Sequence, residues 1–107
     1  MISEQEFDAL LTTYEKHGWV LRRVVVVDKG KIPRDLPQDL VVRMGIVNAV
    51  WFSRPPKSGS LPWEIRYLGP TPYALVEHLD ENSDDFEHRL HQTEERLADV
   101  VAAKRKA

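Results

Sequence analysis

The chain contains no cysteine. Disulfides, thiol catalysis and cysteine-bearing zinc or iron–sulfur centres are excluded together by that one absence. Long hydrophobic runs are missing as well: no purely apolar stretch exceeds Val24–Val27, whereas a membrane span takes roughly 18 or more residues. Glycine is scarce. The five glycines, at positions 18, 30, 45, 59 and 69, are all isolated, so neither G-x-G-x-x-G nor a phosphate-cradling P-loop can be drawn. The motifs G-x-S-x-G, H-E-x-x-H and S-x-x-K are also missing, and no enzymatic activity and no cofactor are expected. Residues 1–11 carry Glu4, Glu6 and Asp8 without a base, unlike a secretory or organelle-targeting leader. The expectation is a soluble cytoplasmic protein without membrane attachment.

What remains is an ordinary globular composition. The chain has 107 residues, 42% apolar and 30% charged, with a net charge of −2. That length suits a single domain spanning 1–107. Neither an internal repeat nor a low-complexity tract is visible.

Ser3 and Glu6 have the spacing of a capping box, and Ile2 and Phe7 that of a hydrophobic staple. Phe7, Leu10, Leu11 and Tyr14 recur at helical spacing, and Gly18 suits the left-handed residue that ends a helix. The β-branched and aromatic run 19–27 predicts a strand, and its Val24–Val27 part has no polar face, as expected of a central strand. Asp28 to Lys31 reads as a turn, with Pro33 and Pro37 keeping the next stretch irregular. Residues 36–45 read either as a short helix near 37–44, capped by Asp35 and Gln38, or as a strand. Residues 46–53 read as a strand, and 54–60 as a loop. The segments 63–68 and 73–79 form a hairpin; if residues 69–72 alone make its turn, Ile65 and Tyr67 share a face with Ala74 and Val76.

Asn82 or Ser83 can cap a last helix with Phe86, Leu90, Leu97, Val100 and Val101 on one stripe and Lys104, Arg105 and Lys106 at its C-terminal end. The final residues, from about 102, are expected to fray. The fold expected is α+β in α-β-β-β-β-α order. An antiparallel sheet of about four strands would carry both helices on one face, leaving the opposite face free.

Three functional readings follow. The favoured one is a non-catalytic module that binds another protein or itself, as a homodimer, through that free face and the projecting end of the last helix. Trp51, Trp63, Tyr73 and Leu75, with Leu97 and Val101, are the residues expected to carry it, because aromatic anchors dominate interface energetics. The alternative is single-stranded nucleic-acid binding through Arg22, Arg23, Arg54, Lys57 and Arg66. Residues 22–76 hold nine bases against four acids while 77–99 hold nine acids against two bases, and arginines interleaved with aromatics can hold phosphates and stack bases. The simpler account is a sheet with charged edges and an aromatic core. The weakest reading is a metal site. Asp84, His88, His91 and Glu95 fall in one column of the last helix with plausible ligand chemistry, but opposite the apolar stripe, where a solvated face supplies no outer shell to hold the ligands.

Overall fold

The structure is a computed structural model that describes residues 3–28, 30, 36, 40–54, 61–69 and 72–106. Its elements run α1 (Glu4–Lys16), β1 (Val20–Val26), β2 (Val41–Met44), β3 (Ala49–Ser53), β4 (Leu61–Tyr67), β5 (Ala74–Leu79) and α2 (Phe86–Lys106). The class is α+β, as the sequence predicts.

The first helix is built at both ends as its sequence dictates. Ser3 Oγ accepts the Glu6 amide at 3.1 Å and caps the N-terminus; Ile2, the other half of the expected staple, lies outside the described residues. At the other end Gly18 takes φ +85°, a value that costs glycine nothing. The Gly18 amide donates to Glu15 O at 3.0 Å and the Trp19 amide to Tyr14 O at 3.0 Å. This is the paired closure of a Schellman motif, and its usual hydrophobic contact is present. Tyr14 and Trp19 meet edge-on with ring centroids 6.1 Å apart.

The sheet holds five strands in the order β2-β1-β3-β4-β5. It is mixed, where an antiparallel sheet of about four strands was expected. The additional strand is β2, which lies parallel to β1 in the register Val24↔Val42 and Val26↔Met44. Residues 41–44 therefore extend, and the possible helix near 37–44 is corrected there; Asp35, Gln38 and the prolines at 33 and 37 lie outside the described residues.

The hairpin register also departs from expectation by one residue. The Tyr67 amide donates to Tyr73 O at 2.9 Å, so the hairpin closes on that pair, and Ile65 lies opposite Leu75. Ala74 and Val76 consequently share a face with Arg66 and Glu64, not with Ile65 and Tyr67.

The helices lie on opposite faces of the sheet, which corrects the expected arrangement. Phe7, Val24, Val26, Val50, Phe52 and Leu68 form one buried cluster, with Leu10, Leu11 and Tyr14 of α1 packed on it. Val25, Ala49, Trp51, Trp63, Ile65, Tyr67 and Leu79 form the other, beneath Phe86, Leu90 and Leu97 of α2. Period-two alternation along β1 and β3 sends neighbouring residues to the two cores, and every residue of β3 is buried. A strand without a polar face needs cover on both sides, and two helices on one face could not supply it.

The helical backbone of α2 begins at Phe86 and continues to Lys106. Asp85 O accepts the Arg89 amide at 2.9 Å, and the Phe86 amide reaches Ser83 O at 3.2 Å. The Ser83 hydroxyl donates to the Asp85 carboxylate, which lowers the Asp85 pKa from its ordinary value, with Arg89 adding to the effect. Among the described residues, no helix is long and apolar enough to cross a membrane.

Candidate functional site

All six residues expected to bind a partner gather in one place, the core beneath α2 and its margin. Trp51 and Leu97 are 0% exposed and Trp63 1%. Tyr73, Leu75 and Val101 pack, partly buried, against the same cluster. Trp51 meets Trp63 edge-on at 6.2 Å, and Trp63 meets Phe86 at 5.1 Å. The sheet face thought to be open is the one that α2 covers. Large aromatics serve cores and interfaces alike, so residue type alone could not separate the two.

Among the described residues, the nucleic-acid candidates do not form one patch. A β-bulge between Leu21 and Arg23 turns two consecutive arginines to the α2 side, the kind of re-aiming bulges perform. Arg22 donates to Ser53 Oγ at 3.0 Å and Glu81 at 2.7 Å, and lies 4.7 Å from the Trp63 ring centroid. Arg23 forks onto both Glu87 oxygens at 2.6 and 2.8 Å and stands 5.5 Å from the Phe86 ring. The Glu87 carboxyl titrates below its ordinary value because of that hydrogen bond and the neighbouring positive charge. These two guanidinium groups clamp the start of α2 to the sheet. Arg54 lies over Trp19 at 5.4 Å, and Arg66 donates to Tyr67 O at 2.8 Å. Lys57 lies outside the described residues.

The metal column is likewise not assembled. Asp84 precedes the helix, and His91 pairs with Glu95 at 2.9 Å on an exposed surface. His88 gains no such partner set. No group of three or more His, Asp or Glu side chains is placed to hold a metal ion among the described residues.

Two polar clusters offer limited chemistry. The Tyr14 hydroxyl donates to Glu64, and the Tyr14 pKa is raised, first by burial and then by that carboxylate. A phenol held so firmly in its protonated form is a poor base or nucleophile. Glu94 accepts the Trp51 indole N–H at 2.9 Å. Its pKa is raised by burial, against the lowering effects of that hydrogen bond, His91 and Arg23. Both clusters join a helix to the sheet.

The exposed apolar surface lies elsewhere. Met44 is 62% exposed, Ile46 58%, Val27 51% and Val41 38%. Because β1 and β2 run parallel and pair Val26 with Met44, Val27 and Ile46 leave the sheet at the same end. Beside them a groove of ≈ 400 Å³ runs between Val27, Ile46 and Asn48 and the helical residues Ala98, Val101 and Ala102. Gly45 shapes this corner: a Cβ there would stand 2.6 Å from Val25 Cγ1, so only glycine lets the chain pass so close. A second groove, of ≈ 350 Å³, separates Leu10 and Thr13 of α1 from Arg66, Gly69 and Pro72.

Sequence reasoning missed this surface, although a signal was present. Residues 40–46 read Leu-Val-Val-Arg-Met-Gly-Ile, with one charge in seven positions. Such composition in an edge strand marks unprotected pairing potential. Comparison with protein-family models, curated proteins and solved structures finds no match to this chain.

Proposed function

We propose that this chain is a non-catalytic protein–protein interaction module, acting in the cytoplasm, whose contact surface is the apolar end of the sheet around β2. One observation carries the reading. Among the described residues, four of the six large hydrophobic residues exposed by more than a third, namely Val27, Val41, Met44 and Ile46, belong to β2 or flank it and its neighbour. Scattered apolar residues on a surface need no explanation, but several of them gathered on an edge strand and its flank favour contact with another macromolecule. The apolar groove beside α2 extends the same surface. The six residues first expected to bind have a supporting part here, since the core they build holds α2 and the edge of that groove in place.

Light scattering behind a sizing column, across a concentration series, tests the reading with Ile46→Asp as the control. The wild-type chain should rise above its 12.4 kDa monomer mass, and Ile46→Asp should suppress the rise while keeping a cooperative melt. Association that survives both Ile46→Asp and Met44→Asp would overturn the assignment of the surface.

A further inference from the structure

The backbone at β2 specifies more than an apolar patch. Gly45 donates its amide to Val26 O at 2.9 Å, so at position 45 the polar backbone groups face β1. Along a strand these groups alternate from side to side with period two. Val41, Arg43 and Gly45 therefore turn their N–H and C=O toward β1, while Leu40, Val42 and Met44 turn theirs outward. Strand β2 terminates the sheet order, and among the described residues no strand pairs with that outer side. Leu40, Val42 and Met44 also share one side-chain face, the α1 face. Leu40 and Val42 pack on that core, and Met44 stands exposed.

Resting on the interaction-module reading, we infer that the partner is a second copy of this chain, joined edge to edge through antiparallel β2 strands with the two-fold axis at Val42. Any axis that falls on a residue keeps the faces of the joined sheet continuous, and the two that centre the contact on β2, Val41–Met44, lie at Val42 and Arg43. An axis at Arg43 sets the two Arg43 side chains against each other, and like charges directly opposite destabilise a pair. An axis at Val42 avoids this. Each Val42 then donates to and accepts from its counterpart, while Met44 of one copy and Leu40 of the other exchange the flanking hydrogen bonds. On the α1 face, Met44 leaves solvent for a site beside Leu40 of the second copy. On the α2 face, Val41 meets Arg43 of the second copy, so neither cation faces its own kind.

The two edges of the sheet differ in a way that supports this pairing. Residues 40–46 contain no acid, lysine or proline, whereas β5 carries Glu77 and His78 and runs into Asp80 and Glu81. Charged edges discourage strand addition. A head-to-tail β2–β5 contact would also propagate as an open filament, whereas the two-fold contact closes as a dimer.

Cysteine pairing tests the register directly, because the chain has no thiol of its own. Val41 and Arg43 of opposite copies form a non-hydrogen-bonded pair with Cβ atoms about 4.5 Å apart, close to disulfide geometry. Identical positions in the two copies are about 8 Å apart, too far for a bridge. Oxidising an equimolar mixture of Val41→Cys and Arg43→Cys chains should therefore yield the mixed disulfide at about tenfold over either same-site dimer, well beyond the statistical twofold. Both positions lie outside the buried core, and each variant should keep the wild-type melt. Met44→Pro supplies an independent arm: it removes an outward-facing N–H and leaves the β1 ladder intact, so it should give a folded monomer.

A dimer by mass that lacks the preferred mixed disulfide would overturn the Val42 register and leave the interaction-module reading standing. A chain that stays monomeric at millimolar concentration would overturn self-pairing and assign the edge to a different protein. Association that persists in Ile46→Asp and Met44→Asp would remove the surface itself.

Discussion

The two faces of this sheet are fastened by different means. On the α2 side, aromatic packing is reinforced by charge. Trp51, Trp63 and Phe86 meet edge-on, Arg22 and Arg23 reach Glu81 and Glu87, and Arg96 and Arg89 converge on Glu77 of β5. On the α1 side, the cluster of Phe7, Phe52, Leu68 and the valines is mostly aliphatic. Tyr14 stacks on Phe52 with centroids 4.0 Å apart and supplies the polar link to Glu64. One helix is latched and the other mainly lies on its sheet by burial. Ion pairs at partly exposed positions contribute little to total stability, but they fix where a helix sits.

Substitutions can separate these two fastenings. The largest effect is expected for Trp51→Ala, which empties the centre of the α2-side core and leaves half-buried Glu94 without its indole partner. A loss of about 4–5 kcal/mol is a large share of the roughly 5–15 kcal/mol typical of a domain, and urea denaturation followed by far-UV circular dichroism should show it. Phe7→Ala, 0% exposed on the opposite face, should cost about 3 kcal/mol. Faster hydrogen exchange in α1 than in α2 would identify the loss as local to its face. Equal losses from the two variants, with exchange raised uniformly, would break the contrast.

Arg23→Ala should cost about 1–2 kcal/mol through the lost ion pair and the contact with Phe86. This difference should shrink with added salt and with acid. Glu87 titrates below its ordinary 4.5 in the folded chain, so its contribution is whole above that pH and disappears as pH falls through the lower folded value. Wild type and Arg23→Ala should therefore converge in melting point on acidification.

The smallest effect has the opposite sign. Burial raises the Glu94 pKa above 4.5, so the folded chain holds that proton more tightly than the unfolded one does. Its stabilising contribution is whole at low pH and is lost as pH rises through the folded value. Glu94→Gln keeps an acceptor for Trp51 while removing the half-buried charge. It should raise the melting point at neutral pH and change little at about pH 4.

Much of this architecture was legible in local sequence. Ser3, Phe7 and Gly18 identified the first helix because caps and stripes act within a few residues. Val24–Val26 indicated a strand covered on both faces, and carrying that signal through would have divided the helices between the faces. Other features depended on contacts between distant residues. Nothing in Leu21-Arg22-Arg23 announces a bulge, because it takes the acids at 81 and 87 and the ring of Trp63 to draw both guanidinium groups to one side. The hairpin register differs by one residue because β5 closes on Tyr67, whose amide bonds Tyr73 O, while the Leu68 amide turns to Asn48 O on the β3 side. The candidate surface was hidden for a similar reason: residues 40–46 have strand chemistry, but only the sheet order shows that they form an edge.

The division of the tryptophans between the two faces has an optical consequence. Trp19 belongs to the α1-side cluster beneath Arg54, while Trp51 and Trp63 lie in the α2-side core. Near-ultraviolet light therefore reads the two halves of the molecule through different chromophores. With Trp19→Phe, the emission comes from the latched face alone. With both core indoles changed to phenylalanine, it comes from the face that α1 covers. The Trp51–Trp63 pair, 6.2 Å apart at 70°, also has the geometry for coupled electronic transitions, so its circular dichroism would disappear when these two rings separate, even while α1 remained in place.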